Sequence, residues 1–129
     1  IGSQSVVLSI EAKKRNKNYW EVYTSNGREP AGLNAYDWIK KAVKLGAGEI
    51  LLTSVDKEGT RKGFDVELMN MASKTTDVPI IASGGFGKVD HLAEVINFGQ
   101  VDAIAIADAI HYKRISVSDL KKSIFKITN

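Results

Sequence analysis

The stretch that decides the fold is GAGEILLTSVDKEGT (46–60). Its centre, EILLTS (49–54), is a short apolar run, and near-continuous apolarity is expected of a strand that is covered on both faces. Gly46 precedes this run where the C-terminal cap of a helix should be, and the charged residues that follow it suit a turn. The stretch therefore predicts a helix end, a buried strand and a polar loop in succession.

Three further runs have the same character. They are SVVLSI (5–10), PIIAS (79–83) and DAIAIA (102–107). Apolar residues recur at helical spacing in the segments 38–45, 68–72, 92–98 and 120–127. This β-α alternation predicts right-handed crossovers and a parallel sheet. The alternating segment YWEVYT (19–24) is expected to pair back as a small hairpin.

Four βα units form either a small open sheet or half of an eight-fold barrel, and periodicity does not distinguish these two. An isolated half-barrel would leave two unpaired sheet edges and an exposed apolar inner face. The 129 residues are enough for one domain and too few for two.

Composition narrows the function classes. The net charge of +3 suits an anionic ligand, but the dense basic cluster 13–17 has no aromatic interleaving, so it reads as a solvated turn and nucleic-acid binding is not expected. We identify no signal peptide and no membrane-spanning run. Without cysteine, neither disulfides nor thiolate metal sites form, which favours the cytoplasm.

In parallel βα folds, ligands gather at the C-terminal ends of the strands, so the residues just past each run are candidates for a site. The candidates are Glu11 past the first run, Asp56, Glu58 and Thr60 past the second, Ser83, Gly84 and Gly85 past the third, and Asp108 past the fourth. This division suggests acid or base groups on one side and a phosphate cradle on the other.

The glycine pair of the segment 83–85 lets backbone N–H groups approach an anion, and a short helix starting after Ala107 would favour an anion as well. The alternative is a simple tight turn. Asp108 would stand at that helix start, either as an ordinary N-cap or as a source of repulsion for a phosphate. His111 is expected to cap or pack.

Glu11 follows the inward alternation of Val7 and Ser9, where a carboxylate can transfer protons. The alternative is a structural ion pair with Lys13 or Lys14.

The stretch DKEGT (56–60) is also ordinary turn chemistry. Glu49 lies at the opposite strand end, either as a salt-bridged charge at the bottom of a barrel or as an exposed strand start. His91 is expected to be exposed. No nucleophilic triad and no metal-ligand spacing is found, so neither metal nor cofactor is expected.

Four stretches together carry a family resemblance. They are QSVVLSIEAKK (4–14), NGREPAGLNAYDWIKKAVKLGAGEILLTSVDKEGTRKGFDVEL (26–68), VPIIASGGFGK (78–88) and HYKRISVSDLK (111–121). They resemble the C-terminal half of the cyclase subunit of imidazole glycerol phosphate synthase, from histidine biosynthesis. The resemblance implies an α/β fold of the (βα)₈ TIM-barrel family, in which residues 1–129 form a C-terminal half-barrel of four βα units (strands 5 to 8) and the N-terminal half is absent.

The resemblance also implies an activity. Family enzymes receive ammonia from a glutaminase subunit and use it to cleave and cyclise a phosphoribulosyl formimino carboxamide ribotide. The products are imidazole glycerol phosphate and aminoimidazole carboxamide ribotide. Two catalytic aspartates act as acid and base, on strands 1 and 5, and only the second maps onto this chain, at Glu11.

The remaining family positions map onto candidates named above. The substrate loop corresponds to Asp56, Glu58, Gly59 and Thr60, the phosphate contacts to Ser83, Gly84, Gly85, Ala107 and Asp108, and the charged gate of the ammonia tunnel to Glu49. The chain departs from the family at three of its positions, with glutamate for aspartate at Glu11 and Glu58, and aspartate for serine at Asp108.

With half of the site absent, we expect no appreciable cyclase activity from the chain alone, and we expect its inner face to drive homodimer formation. The alternatives are the sister phosphoribosyl formimino isomerase barrel, a cyclase-like paralogue, and, in another class, a non-catalytic half-barrel module that assembles with itself.

Overall fold

The structure is a computed structural model that describes residues 6–24, 29–107 and 112–116. Its elements follow in chain order as β1 (Val7–Asn16), β2 (Tyr19–Thr24), β3 (Glu29–Asn34), α1 (Ala35–Lys44), β4 (Glu49–Ser54), α2 (Val66–Thr75), β5 (Ile80–Ser83), α3 (Val89–Glu94) with a π-helical turn (Val95–Gly99), β6 (Ala103–Ala107) and β7 (Tyr112–Ser116). None of the helices in these ranges is long and apolar enough to cross a membrane.

The four apolar runs of the sequence form β1, β4, β5 and β6, which lie side by side and parallel. Helices α1, α2 and α3 connect them, so the predicted α/β fold with a parallel sheet is confirmed. The complete sheet has the order β3-β2-β1-β4-β5-β6-β7. The fourth predicted helical stripe, at 120–127, lies outside the described residues.

The main core lies between the parallel strands and the three helices. On the strand side it contains alternate residues that are fully or almost fully buried, namely Ile10, Ile50, Leu52, Ile80 and Ile104. The helices contribute Ile39 from α1, Leu68 and Met69 from α2, and Leu92 and Val95 from the last helical segment. Because strand side chains alternate, every second residue of β1 and β4 is left on the opposite face of the sheet.

This opposite face is the inner face of the predicted half-barrel, and it differs from the expectation. The sequence predicted an exposed apolar inner face, but Ile81, Ala103 and Ala105 are buried there and Leu51 packs against them. Exposure is confined to the β1 side, where the side chain of Val7 is 48% exposed. The two ends of the sheet differ because β6 carries short alanines and pairs with β5 and β7, whereas among the described strands the start of β1 pairs with β4 alone.

The predicted pair of unpaired edges is also wrong in part. Residues 112–116 form β7, which pairs antiparallel with the whole of β6 from Ala103 to Ala107. The segment YKRIS (112–116) is rich in residues that favour strands, and pairing satisfies the backbone groups of an open edge. The residues of the helix start predicted after Ala107, 108–111, lie outside the described part of the chain, and with them Asp108 and His111.

The predicted hairpin is confirmed, and it makes β1 longer than its apolar run. β2 pairs antiparallel with β1 from Glu11 to Asn16, and β3 then pairs with β2. Asn18 adopts a left-handed conformation (φ 61°) in the tight turn between β1 and β2, which asparagine tolerates better than most residues. The hairpin therefore extends the sheet beyond the C-terminal ends of the parallel strands.

Two contacts fasten the hairpin to α2. The indole N–H of Trp20 donates to Asp65 Oδ2 (2.9 Å), and Lys14 Nζ lies 3.2 Å from Glu67 Oε2. Asp65 is also the N-cap of α2, since its Oδ1 accepts the backbone N–H of Leu68 (3.0 Å). One carboxylate thus stabilises both the helix start and the hairpin.

Asp65→Ala is expected to lower the free energy of unfolding by about 2 to 3 kcal/mol, because it removes a helix cap and leaves the buried indole N–H of Trp20 without its acceptor. Urea denaturation measures the change. Asp77→Ala is the matched control, at an exposed carboxylate with no hydrogen bond to another described residue, and should cost less than about 0.5 kcal/mol. Equal effects of the two substitutions would contradict the role given to Asp65.

Candidate functional site

One row of residues crosses the inner face near the C-terminal ends of the parallel strands. The strand register pairs Glu11 with Thr53, Thr53 with Ser83, and Ser83 with Ala105. Neighbouring strands lie about 4.8 Å apart, so Glu11 and Ser83 are separated by about 10 Å. The two ends of the predicted site, a carboxylate and a glycine-containing loop, are therefore brought to the same side of the sheet with Thr53 between them.

The Glu11 carboxylate is not committed to a structural ion pair. Lys14, one proposed partner, belongs to the opposite face of β1 and pairs with Glu67. Lys13 makes no ion pair with Glu11 either, and within the described ranges no hydrogen bond to the Glu11 side chain is found. The ion-pair interpretation is wrong, and a half-buried carboxylate remains available for proton transfer.

The segment Ser83–Gly85 ends β5, and the Ser83 side chain is 5% exposed. Gly85 adopts a positive φ of 112°, and a Cβ on it would overlap the carbonyl of Gly63. The N–H of Gly63 donates to the Gly85 carbonyl (2.8 Å) at the same place. The glycine is therefore required for the close approach of two loops, in addition to any contact with an anion.

The loop after β4 is an exposed turn whose polar groups mostly serve the turn itself. Asp56 Oδ2 accepts the backbone N–H of Lys14 (2.8 Å). Thr60 Oγ1 donates to the carbonyl of Lys57 (2.8 Å) and accepts the N–H of Lys62 (3.2 Å). The structure thus gives Asp56 and Thr60 turn contacts, which is the alternative interpretation of this stretch.

Glu58 is the exception in that loop. Its Oε2 lies 3.1 Å from the point where a Cβ on Gly84 would stand, so its carboxylate lies against the end of β5. Gly59, beside it, has a positive φ of 76° and open space around it. The loop after β4 therefore brings one carboxylate next to the segment Ser83–Gly85.

Two further predicted residues lie at opposite ends of their strands. Glu49 begins β4 at the N-terminal end of the sheet, partly buried, on the same face as Leu51 and Thr53. Ala107 ends β6, where it pairs with Tyr112. Glu49 thus lies at the opposite strand end from Glu11.

Sequence reasoning missed two residues of the row. Thr53 could have been found, because it alternates with Glu49 and Leu51 along the same strand. Tyr23 lies directly across from Glu11 in the hairpin ladder, and its position depends on the hairpin register, for which the sequence carried no signal.

The expectation that His91 is exposed is wrong. The residue is buried, and its Nδ1 accepts backbone N–H groups of Gly87 (3.0 Å) and Lys88 (3.2 Å). The loop before α3 folds back over the ring, which also contacts Gly63. His91 therefore has a structural role in holding the loop after β5. In the described part of the chain, no group of three or more potential metal ligands is found.

Two pockets in the described part of the chain lie away from this row. These pockets, of about 650 and 770 Å³, flank the hairpin on the side of α2, and neither is lined by Glu11 or Ser83. Both are lined by Lys14, Val66 and Glu67.

Comparison with known proteins finds similarity to one family and to curated proteins that share one name. Residues 1–116 match the model of the family described as "Histidine biosynthesis protein". The chain is similar to the "Imidazole glycerol phosphate synthase subunit HisF" of Streptococcus mutans serotype c, with 44% identity over 123 residues, which is 95% of this chain and 49% of that protein. The subunit of the same name from Clostridium botulinum strain 657 is 46% identical over 126 residues, 97% of this chain and 50% of that protein. The chain spans about half the length of the curated relatives it matches.

Gly85→Ala is expected to lower the free energy of unfolding by about 3 kcal/mol or more, because the new Cβ meets the Gly63 carbonyl and the left-handed backbone penalty adds to the overlap. Gly59→Ala is the matched control. It has a similar positive φ with open space around it, so only about 1 to 2 kcal/mol is expected. Chemical denaturation of both variants measures the difference, and equal losses would contradict the close contact between the two loops.

Proposed function

The chain belongs to the histidine biosynthesis protein family, and from this premise we propose that it is half of an imidazole glycerol phosphate cyclase barrel. It contributes one catalytic carboxylate and one phosphate-binding loop. The observation that carries the proposal is the row from Glu11 to Ser83, which has an uncommitted carboxylate at one end and the glycine-containing loop at the other.

In this proposal Glu11 acts as the acid or base of the strand 5 position. It moves protons while ammonia cleaves and cyclises a phosphoribulosyl formimino carboxamide ribotide, and the second carboxylate comes from the missing half. General acid–base catalysis by one positioned side chain typically contributes about 10²- to 10⁴-fold to a rate. Glu11 suits the role because it is half-buried, faces the inner side and makes no ion pair with another described residue.

The phosphate of the substrate is bound by the backbone of the segment Ser83–Gly85, together with Ala107, which ends β6, and Asp108, which follows it in the sequence. Support comes from the nearness of these strand ends, since β5 and β6 are adjacent and parallel. Glycine leaves the backbone accessible to an anion, and the contact with Gly63 holds the loop in place.

The loop after β4 lies over the substrate, with Glu58, Gly59 and Thr60 toward it and Asp56 fastening the loop to β1. Glu49 is the charged gate at the N-terminal end, where a glutaminase subunit delivers ammonia. Support for the gate comes from its partial burial at the strand end opposite to Glu11.

The chain alone is expected to show no turnover of the ribotide. Mixing it with the part of the Clostridium botulinum strain 657 relative that it does not match should restore ammonia-dependent formation of imidazole glycerol phosphate. Glu11→Gln should lower kcat in this mixture by about 100-fold or more, because the amide cannot exchange the proton.

Asp77→Asn, at an exposed carboxylate that precedes β5 at the N-terminal end of the sheet, serves as the control and should leave the rate unchanged. Stopped assays that detect both products measure the activity. Full activity of the Glu11→Gln variant would refute the role of Glu11, and turnover by the chain alone would refute the requirement for a second half.

We further propose that the chain forms a homodimer in the absence of that second half. Residues 7–10 of β1 pair with β4 on one side, and no described strand pairs with them on the other. Val7 is exposed at this edge on the inner face, and on the helix face Leu8, Trp38 and the exposed Leu45 line an apolar pocket of about 500 Å³. The same surface favours the second candidate function, a non-catalytic module that assembles with itself.

Val7→Lys is expected to convert the dimer to a monomer, because it puts a charge into the contact between the two copies. Light scattering coupled to gel filtration measures the mass. Val89→Lys is the matched control, since Val89 on α3 is equally exposed (47%) but distant from the start of β1. A monomeric wild-type chain, or a Val7→Lys variant that stays dimeric, would count against this interface.

A further inference from the structure

The hairpin formed by β1 and β2 stands beside Glu11, and no role in the site has been assigned to it so far. We propose that Tyr23, held in place by Arg15, is a positioning residue for the Glu11 carboxylate. The inference rests on the proposed function, because it assumes that Glu11 is the catalytic carboxylate. It makes the hairpin part of the catalytic site.

The strand register places the two side chains next to each other. Glu11 and Tyr23 are direct partners in the antiparallel ladder of β1 and β2. Trp20 and Val22 on β2 pack into the main core, so Tyr23 lies on the opposite face, which is the face of Glu11. Side chains of direct partners in such a ladder have their Cβ atoms about 4.5 to 5.5 Å apart.

A chain of polar contacts across three strands holds the tyrosine. Arg15 Nη1 donates to the hydroxyl of Tyr23 (3.1 Å), and Arg15 Nε lies 3.4 Å from Glu21 Oε1. The backbone N–H of Gly32 on β3 donates to Glu21 Oε2 (3.2 Å). The Tyr23 side chain is buried and its hydroxyl accepts a hydrogen bond from Arg15, so the ring has a fixed orientation.

The hairpin that carries these polar contacts is itself bonded to the rest of the fold. The other face of the hairpin is bonded to α2 by the contact of Trp20 with Asp65 and by the ion pair of Lys14 with Glu67. Tyr23 is therefore positioned by bonds on both faces of the hairpin. Lys13 Nζ, 5.8 Å from the centre of the tyrosine ring, adds a cation on the same face.

A fixed ring matters because Glu11 has a flexible side chain. Glutamate carries one methylene more than aspartate, so its carboxylate reaches more positions unless a neighbour excludes some of them. The ring of Tyr23 blocks the positions toward β2 and leaves those toward Thr53 and Ser83. Catalytic groups need such support, since a misplacement of about 1 Å can cost as much as 100-fold in rate.

The experiment compares Arg15→Gln, Tyr23→Phe and the double variant. Both single changes remove the same hydrogen bond while they keep most of the side-chain volume. In the mixture with the complementary half, each single variant is expected to lower kcat about 10-fold with KM changed less than about two-fold. The double variant should be no worse than the poorer single variant, because the two residues act through one bond.

Lys17→Gln is the matched control, since Lys17 belongs to the same basic cluster and contacts no other described residue through a hydrogen bond or ion pair. It should leave both constants unchanged. Arg15→Lys, which keeps the positive charge and a long side chain that ends in a donor, should recover part of the lost kcat. Wild-type kcat in both single variants, or a loss confined to KM, would overturn the inference.

A second measurement does not depend on activity. In the full chain labelled with ¹³C-glutamate, the Glu11 side-chain signals are identified by their loss in Glu11→Gln and shift with the ring current of Tyr23. Arg15→Gln and Tyr23→Phe should move these signals in the same direction, and Lys17→Gln should not. Unmoved signals overturn the inference, whereas moved signals with an inactive wild-type mixture would support it while the proposed function fails.

Discussion

The structure depends on the register of its four parallel strands. Hydrogen bonding in that register aligns Glu11, Thr53, Ser83 and Ala105 in one row, at the end of the sheet where the loops leave the strands. A shift of one residue in any strand would exchange its two faces and move a row member into the main core. The register is specified because one face carries almost only large apolar side chains, and burying them against the helices leaves a single arrangement.

The loops around the row depend on this frame and stabilise one another. The N–H of Gly63 donates a hydrogen bond to the Gly85 carbonyl, and a Cβ on Gly85 would overlap Gly63. His91 accepts two backbone N–H groups of the same loop. Asp56 fastens the loop after β4 to the backbone of Lys14. These loops are therefore held in place both by backbone contacts and by the side chains of Asp56 and His91.

Sequence reasoning predicted the elements whose pattern is local. EILLTS (49–54) forms a strand with the predicted bounds, with one face buried and the other partly buried, and its short apolar run is visible in the sequence. The strand formed by YKRIS (112–116) was missed, since its strand propensity is visible only beside the β6 edge that it covers. His91 was judged exposed because the folding back of the loop after β5 is a tertiary event. Tyr23 was missed for a similar reason, because it meets Glu11 through a register that the alternation along one strand does not determine.

The edges of the parallel strands at β1 and at β6 differ in how much of each is paired and how much apolar surface is exposed beside it. At β6 the edge is covered by β7 and the inner face carries small, buried side chains, so little apolar surface remains there. At β1 the hairpin covers only the C-terminal half of the edge, and the N-terminal half retains Val7 exposed. An open strand edge beside an apolar surface favours pairing with another strand, because the unpaired backbone groups of the edge then form hydrogen bonds. The hairpin pairs only with the C-terminal part of β1, so it leaves residues 7–10 of that edge open, and the same pairing places Tyr23 beside Glu11.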